Sequence, residues 1–252
     1  MPIGAYRIAA VGAQLGIGVA GSVNLTVDAV GKANSANAPY CIANEMICAE
    51  IGRFLRLPVP PGGIVTSAHH PPMYASLNFN LTGVALPPVN PALCVQLLPN
   101  LATGLLLFDI LIANSDRHPG NLSVDTLATP PQMNVFDHSH ALLGNAAGLG
   151  VLRVTALAGH LAVTGGAYTG GNRHCLIDAV SDDQHFTTWI ARITALPDFV
   201  IEEICADAMP FGMTITESQA VQTFLKERRD TFTNLIEQHR AEFHAINLWS
   251  II

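Results

Sequence analysis

Residues 5–33 alternate short Val-, Ile- and Thr-rich runs with glycine and keep no helical period, which predicts two or three short strands. From Ile42 to Arg56 the apolar spacing turns helical, and Leu57-Pro58-Val59-Pro60-Pro61 stops it. Nine of the 16 prolines lie between residues 58 and 100, so that stretch reads as strands with extended connections, a hinge between two lobes. Leu101 to Ile112 suits a buried helix, followed by a polar loop, Asn114 to Asn121. Two β-prone runs, Leu122 to Val124 and Met133 to Phe136, flank a Pro-Pro loop. Residues 144–172 are glycine-rich without a firm period and read as mobile. From Asp183 onward the pattern is helical. The last helix is predicted to open at Thr216-x-x-Gln219, a capping-box spacing. Val221, Phe224, Leu225, Phe232, Leu235, Ile236, Phe243 and Ile246 then form one stripe. The layout predicts an α+β protein, β-rich first and helical afterwards, with no internal repeat.

Composition narrows the partners. The 252 residues are 50% hydrophobic and only 12% charged, about half the usual charge of a soluble domain. That excludes a disordered chain, a coiled coil and a solvating acidic tail. The net charge is −7, and Lys32 and Lys226 are the only lysines. A nucleic-acid backbone or an anionic membrane surface needs clustered cations, so neither is the main partner. Five cysteines, Cys41, Cys48, Cys94, Cys175 and Cys205, show no C-x-x-C spacing, which points to reduced thiols and a cytoplasmic setting. No apolar stretch reaches the ~18–20 residues of a membrane span. Arg7 ahead of an Ala/Gly/Val/Ile stretch only faintly imitates a signal peptide, because the stretch is rich in glycine.

Carboxylates are scarce enough to be informative. Between residues 51 and 177 they are Asp109, Asp116, Asp125 and Asp137 alone. Asp116 and Asn121 stand five apart in the polar loop, and Asp137 ends the second β-prone run. This order and spacing suit phosphoryl transfer. An aspartate accepts the substrate hydroxyl proton, an asparagine five residues on binds Mg²⁺, and an aspartate after a short hairpin binds the same metal. Magnesium takes hard oxygen ligands and few protein groups, so one amide and one carboxylate suffice. The competing reading is that Asp116 and Asn121 close a turn while Asp137 ends a strand.

The N-terminal part supplies companions for that chemistry. Gly16-Ile-Gly18-Val-Ala-Gly21-Ser-Val23 reads G-x-G-x-x-G-x-V, and glycines let a turn approach phosphates closely. A strand-like segment follows it rather than the helix of a dinucleotide fold. Lys32 is the only lysine before residue 226, where such a site needs a cation for the phosphates. A helix glutamate should orient it. Glu45 and Glu50 flank opposite edges of the apolar sector formed by Ile47, Ile51, Phe54 and Leu55, so geometry alone does not choose between them.

Asn44-Glu45, Leu57-Pro58-Val59-Pro60, Phe108-Asp109-x-Leu-Ile-x-Asn114-x-Asp116-Arg117-His118-x-x-Asn121 and Phe136-Asp137-His138 together resemble the HipA-like kinases, most nearly their short bacterial branch. The Asp-Arg-His-x-x-Asn loop also resembles that of phosphatidylinositol 3- and 4-kinases. The resemblance runs from about Lys32 to Asp137 and returns weakly at residues 224–229. It implies a two-lobed kinase-like fold, with an N-lobe over residues 1–98 and a C-lobe over 99–252. It implies Mg-ATP as cofactor, Asp116 as catalytic base, Asn121 and Asp137 as metal ligands, Lys32 on the phosphates and Glu45 orienting Lys32. Glu50 then reads as a surface charge. A protein serine or threonine is the implied substrate, and HipA-like toxins are neutralised by a DNA-binding antitoxin, which makes an antitoxin-like protein partner an expectation. The span from Gly16 to Lys32 is shorter than in typical protein kinases. Arg117 and His118 belong to the motif without an assigned role, although His118 could bond the loop backbone. His69, His70, His138 and His140 lack the carboxylate or cysteine neighbours of a zinc site. The alternatives are a lipid or small-molecule kinase, which the acidic charge disfavours, and a non-catalytic nucleotide- or partner-binding module.

Overall fold

The computed structural model describes residues 6–15, 21–81, 87–165 and 173–250. The first strands are β1 (Ile8–Gln14) and β2 (Val23–Val27), an antiparallel ribbon that pairs Ile8 with Val27 at one end and Gln14 with Val23 at the other, with two register shifts between them. Every residue of the ribbon is exposed. It joins the rest of the fold at its base, where Arg7 N–H donates to Asn78 C=O (3.3 Å) and Asp28 N–H donates to Arg7 C=O (3.1 Å). Strands β3 (Ala29–Lys32), β4 (Gly62–Val65) and β5 (Met73–Leu77) form an antiparallel sheet with β5 in the middle. One face of this sheet lies on helix α1 (Cys41–Phe54).

Helix α1 buries residues on nearly every side, from Ile42 to Ile51, because it is enclosed between the small sheet and the helical half of the chain. It ends where Arg56 takes a left-handed φ of 65° and Leu57 N–H reaches back to Gly52 C=O (2.9 Å). A Cβ on Gly52 would lie 2.8 Å from Val59 Cγ2, so a glycine is what lets the Leu57–Val59 segment fold back on the helix.

Helix α2 (Pro91–Leu97) falls within the stretch expected to be extended. Asn90 caps it by accepting Leu93 N–H (3.1 Å), and Pro91 occupies the first turn, where its missing N–H costs nothing. Helix α3 (Pro99–Leu111) starts two residues earlier than the apolar run suggests, again at a proline. It is apolar all round and buried, as such a helix must be. Each of its enclosed leucines contributes about 1.5–3 kcal/mol. At Gly104 the indole of Trp189 packs where a Cβ would sit, 2.2 Å from the ring.

After the hairpin β6 (Leu122–Asp125) and β7 (Gln132–Val135) come α4 (Gly150–Leu157), α5 (Phe186–Thr194), α6 (Asp198–Ala208), α7 (Ile215–Asp230) and α8 (Phe232–Gln238). Helix α4 lies inside the segment expected to lack a period, where Val154 and Leu157 pack toward α7. Residues 166–172 of that segment lie outside the described residues. The capping box sits two residues before the expected one: Thr214 Oγ1 accepts Glu217 N–H (3.2 Å) and Glu217 Oε2 accepts Thr214 N–H (2.8 Å). The extended backbone of Thr214 makes it the cap, whereas Thr216 is already inside the helix. The apolar stripe is buried as expected, but the helix breaks at Thr231, and Phe243 and Ile246 belong to the segment beyond α8. All five cysteines are free thiols. Among the described residues no helix is long and apolar enough to cross a membrane.

Candidate active site

Lys32 ends β3 at the rim of a cavity of about 440 Å³. Its ammonium nitrogen lies 2.5 Å from Glu45 Oε1 on α1 and 2.6 Å from Asp137 Oδ1 just beyond β7. Burial works against the charge on Lys32, but the two carboxylates outweigh it and hold its pKa above the ordinary lysine value. Burial would likewise raise the pKa of Glu45, yet bonds from His138 and Lys32 hold it below the usual range. For Asp137 burial is again overcome, chiefly by Lys32, and its pKa falls to about 2. All three groups are therefore charged at neutral pH. Glu50, the other glutamate on α1, pairs instead with Arg53 on the outer side. The tertiary arrangement thus chooses Glu45.

Asp137 has a left-handed φ of 63°, a conformation Asp tolerates better than most residues. Its Oδ1 also accepts the Ser139 hydroxyl (2.8 Å), while Oδ2 accepts no hydrogen bond from the described residues. Asn44, adjacent to Glu45 and fully buried, secures the following segment: its amide donates to Ser139 C=O (2.8 Å) and Gly144 C=O (3.2 Å).

The loop after α3 is shaped by a second ionic cluster. Asp109 is fully buried and takes four bonds: Arg117 Nε (2.7 Å), Arg117 Nη2 (3.2 Å), Asn114 Nδ2 (2.9 Å) and His174 Nε2 (2.9 Å). Burial would raise the Asp109 pKa, but the Arg117 guanidinium beside it holds the carboxyl far below the usual range. The Arg117 Nη1 group donates to both Asn121 C=O and Phe136 C=O. One guanidinium thereby ties the backbone of Asn121 to the residue before Asp137. The Asn121 side-chain amide donates to Asp116 C=O (2.9 Å), which leaves its Oδ1 as the atom available to a metal. Asp116 itself is half-exposed, and no described residue donates to its carboxylate. His118 is exposed, and its Nδ1 accepts Gly120 N–H (3.1 Å), a bond to the loop backbone.

Lys32, Glu45 and Asp137 are thus brought into direct contact. Asn121 is tied through Arg117 to the backbone of Phe136, the residue before Asp137, and its amide holds Asp116 C=O, but neither Asn121 nor Asp116 lines the cavity. Gly16 and Gly18 lie outside the described residues. Gly21, with a φ of 62°, sits at the exposed end of the β1–β2 ribbon and does not line the cavity. Leu15 N–H closes that loop onto Ser22 C=O (2.8 Å). Sequence reasoning left Asp109, His174, Asn44 and Arg117 without roles. A lone aspartate in an apolar helix signals a buried partner. Nothing in the sequence singles out His174, 65 residues away, as one of those partners.

Val30, Ala49, Val59 and Val135 give the cavity apolar walls, and Phe79 and Phe136 meet at its edge with ring centroids 5.2 Å apart. Among the described residues no three His, Cys, Asp or Glu side chains are grouped to hold a metal.

No family model and no curated protein matches the sequence. Among solved structures, the crystal structure of the Helicobacter pylori proinflammatory kinase CtkA is similar to it, with a TM-score of 0.58 and 17% sequence identity. The match covers 86% of this chain and 94% of that one. The fold is a two-lobed, kinase-like α+β fold.

Proposed function

We propose that the chain is an ATP- and Mg-dependent phosphotransferase acting on a serine or threonine hydroxyl of a protein, in the manner of the HipA-like kinases its motifs resemble. The observation that carries this reading is the Lys32 ammonium held between Glu45 and Asp137 at the rim of an apolar-walled cavity. In this reading residues 1–98 form the nucleotide-holding lobe and 99–252 the catalytic lobe, with α2 leaning on α3 at the join. The walls suit a flat purine, and Lys32 contacts the phosphates while Glu45 keeps it oriented.

The donor set fits magnesium: Asn121 offers an amide oxygen and Asp137 a carboxylate, both hard and few in number. Bound Mg²⁺ supplies positive charge for the transferring phosphate oxygens. Asp116 orients the substrate hydroxyl and accepts its proton, and no described residue donates to its carboxylate. An antitoxin-like protein partner and a cytoplasmic setting belong to the same proposal.

The test is incubation of the purified chain with radiolabelled ATP, Mg²⁺ and cell lysate, beside Asp116→Asn. Label entering protein in the wild type alone supports the reading. Label in lipid or small molecules moves the substrate class. No transfer, together with no ATP-dependent thermal shift, makes the chain a non-catalytic binding module.

A further inference from the structure

Glu45 is 3% exposed, and a buried carboxylate needs a donor on each oxygen. Oε1 takes Lys32 Nζ (2.5 Å) and the His138 N–H (3.0 Å). Among the described residues Oε2 has a single partner, His138 Nδ1 at 3.3 Å. The imidazole is itself buried and packs edge-on against Phe108 of α3, with centroids 5.8 Å apart and planes at 78°. One residue therefore meets the glutamate through both main chain and side chain, and it directly follows Asp137.

We propose that His138 is the positioning residue for Glu45, gripping both carboxylate oxygens so that the Lys32 ammonium is kept between Glu45 and Asp137. The inference rests on the phosphotransferase reading for the activity it serves. A carboxylate only accepts hydrogen bonds, so Nδ1 must carry the proton. Nε2 is buried and has no bonding partner among the described residues. His174 makes the opposite choice against Asp109. Its Nδ1 accepts Leu176 N–H (3.1 Å), so its proton is on Nε2. The two buried histidines face their carboxylates through different nitrogens, which gives the proposal a spectroscopic signature with a reference in the same molecule.

The experiment has three readouts. Nitrogen-15 histidine spectra of the wild type at about pH 8 should show a proton on Nδ1 of His138 and on Nε2 of His174. Acylation of Lys32 at that one pH, with Lys226 as the reference amine, should rise several-fold in His138→Phe, which keeps the ring against Phe108 but loses the donor. It should return toward wild type in His138→Asn, whose amide nitrogen replaces Nδ1. Turnover should fall about tenfold in the Phe variant, the scale for losing a group that orients a functional side chain, with recovery in the Asn variant. An Nε2–H tautomer at His138 overturns the proposal. So does a Phe variant with Lys32 as protected as in wild type, or an Asn variant as reactive as the Phe variant. Should the Phe variant not fold, the wild-type spectrum decides. A wild type that transfers no phosphate yet shows the tautomer and the change in Lys32 reactivity counts against the phosphotransferase reading alone.

Discussion

Two clusters pair carboxylates with cations, and they are built for opposite conditions. Around Asp109 every side chain is dry: Asp109, Arg117 and His174 are each about 0% exposed, and the four bonds to Asp109 occupy both its oxygens. Around Lys32 the Lys32 and Asp137 side chains are 28% and 31% exposed, and Asp137 Oδ2 accepts no hydrogen bond from the described residues. A saturated, water-free cluster has no valence left for a ligand, so its effect is to hold the loop that carries Asp116 and Asn121. The wet cluster keeps spare oxygens beside a cavity, and that is where a ligand can enter.

The largest expected effect comes from breaking the dry cluster. Asp109→Asn leaves Arg117 buried without its counter-charge, which should cost about 3–5 kcal/mol and lower Tm by roughly 6–20 °C. Thermal unfolding checks this, and a shift no larger than that of an exposed substitution would contradict the scaffold role. Asp116→Asn should do the reverse. Turnover should fall by at least ~10²-fold while Tm and Mg-ATP affinity stay near wild type, measured by single-turnover assay beside isothermal titration.

Within the wet cluster, Lys32→Ala and Glu45→Ala should each reduce turnover, and the double variant should be little worse than either single. Residues acting as a unit are non-additive in this way. Additive losses would mean that Glu45 acts independently of Lys32.

Acid sharpens the contrast. Burial lowers the pKa of His174, so the unfolded chain takes up that proton first. Stability from this site is therefore full above about pH 6.5 and declines as the pH falls below it. His174→Gln keeps a donor toward Asp109 and should flatten that part of the stability–pH curve. The Asp137 contribution is retained at that pH and is lost only between about 3.9, the unfolded value, and its folded value of about 2. Equal slopes for wild type and His174→Gln would remove His174 from the account. The smallest effect belongs to Glu50→Ala, which breaks a partly exposed pair with Arg53 and should change stability by less than ~1 kcal/mol and turnover not at all.

Local pattern was enough wherever a short stretch decides its own structure. The strands before Lys32, the helix from Ile42, the polar loop and the hairpin leading to Asp137 all follow from side-chain period and turn chemistry. Their order along the chain also brought Lys32, Asp116, Asn121 and Asp137 forward as one group. Errors arose where a tertiary face overrode a weak local signal. Helix α4 has little period of its own and is held by packing toward α7, and α2 begins at a proline that reads equally well as part of an extended linker.

The sequence by itself determined which chemical groups this chain has for the proposed phosphate site: one early lysine, a handful of carboxylates and an asparagine at a telling spacing. Only the tertiary structure decided which of them act together. Glu45 and Glu50 are equivalent on a helical wheel, and they differ because one edge of α1 faces Lys32, while on the other Glu50 pairs with Arg53 one turn along the same helix. Asp109 and His174 meet across 65 residues, and His138 turns its ring onto Glu45 across 93. Such pairings depend on which faces the fold brings together in the absence of water, where an unpartnered charge is costly, and spacing along the chain carries no record of that.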